Sequence, residues 1–278
     1  MSLFITSLNS GSNGNCYYIG NDSEAVLVDA GLSCREIEKR MQLLGLSINR
    51  VKAVFVSHEH TDHIKGVSAL ANKYGLPVYI TAGTAQHGPR LINHLSKTFT
   101  AHEPVYIGNL NITGFPKFHD AADPHSFIIS SNGITIGVFT DIGSSCQHVT
   151  HYFGKCHAAF LEANYDETLL ENGRYPVYLK NRIRGGNGHL SNSQALEIFT
   201  KHRPAFMTHL LLSHLSKDNN CPELVHQLFA KNAAGINIIV ASRYGPTAIY
   251  NIQTPSAEAQ KKRIALNTPQ NMQLNLFG

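Results

Sequence analysis

The seven residues Ser57-His58-Glu59-His60-Thr61-Asp62-His63 constrain this chain more than any other feature. They follow the apolar run VKAVFV and precede the amphipathic stretch DHIKGVSALANKYG, which places them in a strand-to-helix loop. Residues 58–63 carry three imidazoles and two carboxylates, a concentration of nitrogen and oxygen donors that suits zinc and comparable divalent ions. One loop cannot complete a binuclear site, so the fold must bring further acids and histidines to the same place from the ends of other strands. Three residues qualify: His119 follows NITGFPKF, Asp141 closes ITIGVFT, and His214 follows AFMTHLLLS.

The rest of the pattern supports such a fold. Strand-like runs at 3–8, 25–29, 53–56, 78–80, 110–115, 127–130, 134–140, 158–161, 205–208 and 238–241 alternate with helical patterns at 34–44, 62–73, 176–184, 191–201 and 222–231. This predicts an α/β chain with a substantial sheet. Asn132-Gly133 between two apolar runs predicts a two-residue hairpin, because both positions must tolerate positive φ. No repeat or linker divides the first 250 of the 278 residues, while the Gln/Asn-rich end is polar and carries two prolines. The expected organisation is one domain over 1–252 and a flexible tail over 253–278.

Composition narrows the setting. The 16 histidines are the first hint of metal or proton-transfer chemistry, and the balance of 23 basic to 19 acidic residues is compatible with a polyanionic substrate without demanding one. Five scattered cysteines without a C-x-x-C pair predict a reduced chain lacking a zinc finger. Neither a secretory leader nor an apolar stretch of about 18 residues is present, so a cytoplasmic, non-membrane location is expected.

Taken together, Asp29 in VLVDAG, the H-x-H-x-D-H of His58 to His63, His119, Asp141 in FTDIG and His214 resemble the ordered motifs of the metallo-β-lactamase fold superfamily of metal-dependent hydrolases. The resemblance covers about residues 1–250 and implies an αββα four-layer sandwich with a dinuclear site along one edge. By that likeness one metal takes His58, His60 and His119, the other takes Asp62, His63 and His214, and Asp141 bridges them. Asp29 organises the ligands without being one. Zinc is the expected ion, and manganese and iron accept the same donors.

Within the superfamily, SGSNGNCYYIG, VDAGLSCREIEKR, FHDAADP, LEANYD, YPVYLKNRIRGGNGHLSN and LSHLSKDNN resemble the YycJ/WalJ-like group of bacterial proteins, associated with 5′-to-3′ exonuclease activity on DNA. The likeness implies a phosphodiesterase using a metal-bridging hydroxide, with Asp62 orienting the nucleophile and His189 of GHLSN near the leaving oxygen. The 48 positions from Asp141 to His189 are too few for the inserted β-CASP domain of related nucleases. Candidate phosphate contacts are Ser12, Asn13 and Asn15 in the glycine-bearing loop after the first strand, and Lys180, Arg182 and Arg184 before GGNG. Other histidines, with His125 and His209 the nearest rivals to the motif residues, are read as ordinary. The rival functions are a small-molecule hydrolase, such as a thioesterase or cyclic-nucleotide phosphodiesterase, and a non-catalytic metal-stabilised adaptor of DNA machinery. Finally, Gln273, Leu274, Leu276 and Phe277 resemble the short motif by which bacterial repair proteins dock on the DNA polymerase sliding clamp.

Overall fold

The computed structural model describes residues 2–92 and 94–254, so the predicted docking residues Gln273, Leu274, Leu276 and Phe277 lie outside the described residues. The first half runs β1 (Leu3–Asn9), β2 (Cys16–Gly20), β3 (Ala25–Val28), α1 (Cys34–Leu43), β4 (Val51–Phe55), α2 (Thr61–Ile64), α3 (Val67–Tyr74), β5 (Val78–Tyr79), α4 (Ala82–His87) and β6 (Ser96–Lys97). The second half runs β7 (Pro104–Ile107), β8 (Leu110–Pro116), β9 (His125–Ser131), β10 (Ile134–Phe139), α5 (Gln147–Phe153), β11 (Ala158–Glu162), α6 (Glu167–Asn172), α7 (Val177–Arg184), α8 (Asn192–His202), β12 (His209–Ser213), α9 (Pro222–Ala230) and β13 (Asn237–Val240), before β14 (Tyr250–Ile252) returns to the first sheet.

The strands form two seven-stranded sheets, ordered β14-β1-β2-β3-β4-β5-β6 and β13-β12-β11-β10-β9-β8-β7. Each sheet begins as an antiparallel meander and ends with parallel strands, from β3 to β6 in one and from β10 to β13 in the other. Parallel strands need helical crossovers, and helices on the faces bury the sheet from both sides. That is why β3 and β11 read as unbroken apolar runs. In β3, Val26 and Val28 join the cluster between the sheets while Ala25 and Leu27 face the cluster built with Ile37 of α1 and Leu70 of α3. In β11, Phe160 faces inward and Leu161 faces the cluster holding Phe153 of α5, Phe199 of α8 and Phe229 of α9. Three apolar layers alternate with four structural ones, giving the expected αββα sandwich.

Asn132 and Gly133 have φ of 50° and 78°, as the two-residue hairpin between β9 and β10 requires. Other expectations are corrected. The helix predicted over 62–73 is two helices, because Gly66 turns its amide to the Ala30 carbonyl (2.8 Å) and interrupts the helical pattern. The strand predicted at 205–208 is a turn closed by Met207 N and Pro204 O (3.0 Å), and the real strand is β12. Residues 250–252, expected only as the end of the domain, form a strand that pairs antiparallel with Leu3–Ile5. Strands β2, β6 and β7 and helices α4, α5 and α6 were not anticipated. No helix among the described residues is long and apolar enough to cross a membrane.

Candidate metal centre

The site lies where strands of both sheets end along one edge. Asp29 follows β3, residues 57–63 follow β4, His119 follows β8, Asp141 follows β10, Glu162 ends β11 and His214 follows β12. Asp29, Asp141 and His214 have φ of 61°, 54° and 56°, the left-handed region that non-glycine residues avoid. Three sharp reversals at strand ends therefore aim these side chains along the edge, at a backbone cost of about 1–3 kcal/mol each that the surrounding packing must offset.

Hydrogen bonds on the far nitrogen of each ring fix which lone pair is free. His58 Nδ1 donates to Ser57 Oγ (2.9 Å), and Ser57 Oγ donates to Asp29 Oδ2 (2.8 Å). His63 Nδ1 donates to Asp29 Oδ2 (2.7 Å), and Ser57 N donates to Asp29 Oδ1 (2.8 Å). His119 Nδ1 donates to the Gly188 carbonyl (3.0 Å), and His214 Nδ1 to Glu162 Oε1 (3.0 Å). Asp29 thus sets two rings without approaching the donors that converge.

Two sets of donors result. In the first, His60 Nδ1 lies 3.1 Å from His58 Nε2 and 3.3 Å from His119 Nε2. With their far nitrogens committed, His58 and His119 both direct lone pairs at His60 Nδ1, which can donate to only one of them, and a cation among the three nitrogens would satisfy all. The spacing fits one: nitrogens at about 2.0–2.1 Å around a tetrahedral zinc are about 3.3 Å apart. In the second, Asp62 Oδ2 lies 3.5 Å from both His63 Nε2 and His214 Nε2. Asp141 reaches both sets, with Oδ2 3.1 Å from His63 Nε2 and Oδ1 3.8 Å from His119 Nε2. His214 Nε2 and Asp141 Oδ2 are buried without a hydrogen-bond partner. Orphaned buried donor atoms of this kind are what a divalent cation would satisfy.

The electrostatics agree. Burial pushes His58 well below its ordinary pKa and His119 down to about 4, so both are neutral and able to bind metal. His63 and His214 are also buried, but the surrounding carboxylates, Asp141 foremost, outweigh that and raise His63 to about 10 and His214 well above its usual value. Burial opposes ionisation of Asp141, yet the His214 and His63 rings hold it well below the carboxylate range. A field that retains protons on two imidazoles also attracts a cation. The buried Lys117, whose pKa burial lowers, donates to the Thr140 carbonyl (2.6 Å) and anchors the chain just ahead of Asp141.

His189 stands beside both sets, partly exposed, its Nδ1 donating to Glu162 Oε1 (2.8 Å), with ring centroids 5.3 Å from those of His119 and His214. Two features place it. Ser191 caps α8 in a reciprocal capping box with Gln194, fixing where the helix starts. A Cβ on Gly188 would lie 2.2 Å from the Arg182 carbonyl, so only glycine lets this loop lie against α7.

Glu162 was missed in the sequence, although LEANYD contains it. Fully buried, it holds His189 and His214 with Oε1 and accepts from Ile142 N (2.7 Å) with Oε2. The His189 and His214 rings bring it down to about 2 despite its burial. The signal was an acid closing an apolar run, the same signal that marked Asp141. Glu59 turns away from the donors and accepts from Ala122 N (2.7 Å).

The candidate phosphate contacts divide. Ser12 and Asn13 are exposed at the loop tip after β1. Asn15 is buried and donates to Asp62 Oδ2 (3.2 Å) while accepting from Gly11 N (3.0 Å), so its amide positions a carboxylate of the second donor set and is not free for substrate. Arg182 pairs with Asp120 (2.6 Å), the neighbour of His119. Lys180 bonds the Glu171 carbonyl and Arg184 the Glu171 carboxylate (2.9 Å), which ties α7 to α6 and directs both away from the centre. His125 bonds the Asp123 carbonyl (3.0 Å) and His209 bonds Thr208 Oγ1 (2.8 Å); neither belongs to a convergent donor set.

Residues 10–152 match the metallo-beta-lactamase superfamily. The exodeoxyribonuclease YycJ of Bacillus anthracis is 34% identical over 244 residues, covering 85% of this chain and 92% of that protein. The exodeoxyribonuclease WalJ of Streptococcus pneumoniae is 31% identical over 234 residues, covering 82% and 87%. Among solved structures, the metallo-beta-lactamase fold protein YhfI of Bacillus subtilis superposes with a TM-score of 0.67 at 18% identity, over 90% of this chain and 100% of that one. The short form of human tRNase Z gives 0.60 at 15% identity, over 89% and 99%. At those identities the two structures speak for the fold alone.

Proposed function

Because this chain belongs to the metallo-beta-lactamase superfamily and aligns over most of its length with the YycJ and WalJ exodeoxyribonucleases, we propose that it is a dinuclear metal-dependent exonuclease that hydrolyses DNA from 5′ to 3′. The observation that carries the reading is the pair of convergent donor sets joined by Asp141, with the His189–Glu162 pair beside them. His58, His60 and His119 would hold one divalent ion, Asp62, His63 and His214 the other, and Asp141 would touch both. Zinc suits these donors, and manganese or iron would serve in their place. Such ions supply Lewis acidity toward a phosphoryl oxygen and make water nucleophilic at neutral pH.

The protein's own groups do the rest. Asp62, held by Asn15, accepts a hydrogen bond from the attacking water and orients it. His189, held through Nδ1 by Glu162, has no partner on Nε2 among the described residues, and that nitrogen delivers a proton to the leaving oxygen. Ser12, Asn13 and Arg182 would meet backbone phosphates. Residues 1–252 form the catalytic domain. The segment 253–278 is a tail through which Gln273, Leu274, Leu276 and Phe277 dock the enzyme on a sliding clamp in the cytoplasm; the support for this is sequence likeness.

The test offers the chain, stripped by chelator and reloaded with zinc or manganese, labelled DNA, RNA and a generic phosphodiester. Metal-dependent shortening of DNA is expected. Turnover confined to small esters, or full metal occupancy with no diester cleaved, would replace the proposal with the hydrolase or adaptor alternative.

A further inference from the structure

One strand farther along the same edge, the loop after β12 faces the loop after β13 across a cavity of about 210 Å³. Ser10 is common to the cavity and the metal centre: it lines the former, and its Oγ accepts from His214 N (2.7 Å). The cavity therefore opens within a few ångströms of a ligand, at the carboxyl ends of parallel strands where α/β sheets bind their ligands.

Its lining is cationic and unsatisfied. Lys217 and Arg243 stand on the two facing loops, and neither side chain has an ion-pair partner among the described residues. Arg243 Nη1 is buried without any acceptor. A guanidinium N–H withdrawn from water with no partner is costly, and turning it into the cavity to meet an anion would relieve it. Asp218, the carboxylate next to Lys217, is engaged elsewhere and accepts from Tyr175 Oη (3.0 Å). The hydroxyl-bearing Ser216 adds a small donor, and the ring of Tyr244, 77% exposed, sits at the rim. Cations with hydroxyl donors, bordered by a flat aromatic face, match a phosphate attached to a base.

We propose that this cavity seats the terminal nucleotide of a DNA strand, with Lys217, Arg243 and Ser216 holding its 5′-phosphomonoester and Tyr244 stacking on its base. A monoester carries about −1.5 to −2 charges at neutral pH against one for an internal diester, so two unpaired cations favour an end over the middle of a strand. The inference rests on the nuclease reading and deepens it: selection for ends comes from this cavity, and the metal centre is indifferent to them.

The experiment compares a single-stranded oligonucleotide carrying a 5′-phosphate with its 5′-hydroxyl twin, using the metal-loaded full chain and its Lys217→Ala/Arg243→Ala variant. The wild-type chain should favour the phosphorylated end by about tenfold or more in kcat/KM, the scale of losing one charge-assisted contact. The variant should cut both strands with the same kcat/KM, and Lys217→Arg/Arg243→Lys should restore part of the preference. A preference that survives in the alanine variant, or a wild-type chain that cuts both strands equally, overturns the proposal. Calorimetry with thymidine 5′-monophosphate and thymidine separates the two readings. Binding of the monophosphate alone, lost in the alanine variant, upholds the cavity even if no DNA is cut. Equal binding by wild type and variant, or no binding, rejects the cavity whatever the nuclease assay shows.

Discussion

Gly31→Ala is the most informative single change away from the ligands themselves. A Cβ on Gly31 would lie 1.6 Å from the carbonyl oxygen of Asp62, 2.4 Å from its carbon and 2.6 Å from Asn15 N. Ordinary contact is about 3.4 Å, so one side must yield by more than about 1.5 Å, far beyond what a packed interior absorbs without loss. The segment cannot yield freely, because Gly31 N bonds Asn15 O (2.8 Å) and Asn15 N bonds Asp62 O (2.7 Å). The displacement therefore falls on α2, carrying Asp62 and His63 away from His214 and Asp141 on the other sheet. Overpacking should cost about 1–3 kcal/mol of stability. A misplacement of about 1 Å should cost roughly 10²-fold in turnover, and the Asp62–His63–His214 site should weaken by about 10- to 100-fold in metal affinity. The assay is metal content after dialysis, alongside the unfolding midpoint and activity. Gly75→Ala is the control: its φ of 64° penalises alanine by about 1–2 kcal/mol, with no other atom within 4 Å of the new Cβ. Gly31→Ala should drop toward one ion per chain while Gly75→Ala keeps its metal at comparable stability. Wild-type metal content and turnover in Gly31→Ala would refute the reasoning.

His189→Ala should retain its metal and lose roughly 10²-fold in turnover, read from metal analysis and rates on the same sample. Zinc titrated into the stripped chain near pH 7.5 should release about two protons, seen as a buffer-dependent heat, because His63 (about 10) and His214 (raised) hold protons that binding expels while His58 and His119 (about 4) hold none. Because the pKa values of these two rings are raised, protons compete with zinc below them. Affinity should therefore strengthen as pH rises, and the His63 share of the release should vanish as pH passes about 10, where that ring is already neutral. A peptide of residues 268–278 should bind the clamp of the same organism in the micromolar range, and Leu276→Ala/Phe277→Ala should abolish the shift in a fluorescence titration.

What the sequence disclosed follows from how local each signal is. Asp141 and His214 each close an apolar run, and a strand end at a sheet edge is where such a residue becomes a donor. Asn132-Gly133 carries its own turn preference, so the hairpin was legible without any tertiary context. Glu162 closes an apolar run in the same way, but nothing local ties it to its partners His189 and His214, which are 27 and 52 residues away. Asn15 invited a phosphate reading because its glycine neighbours are visible in sequence, whereas its bond to Asp62 spans 47 residues. The two-residue strand β6 and the edge strand β14 are too short to show alternation. The misplaced strand at 205–208 shows propensity overruled by context: Phe206, Met207 and Thr208 favour strand, but Pro204 begins a turn and the parallel register with β11 starts at His209.

The central claim, a metal-dependent DNA exonuclease built on donors joined by Asp141, is tested most directly by the products of an end-labelled DNA duplex incubated with the chain in defined zinc or manganese. Mononucleotides should be released progressively from the 5′ end, and chelation or Asp141→Asn should abolish their release. Full-length DNA after incubation with a fully metal-loaded chain, or cutting that persists in Asp141→Asn without metal, would contradict it.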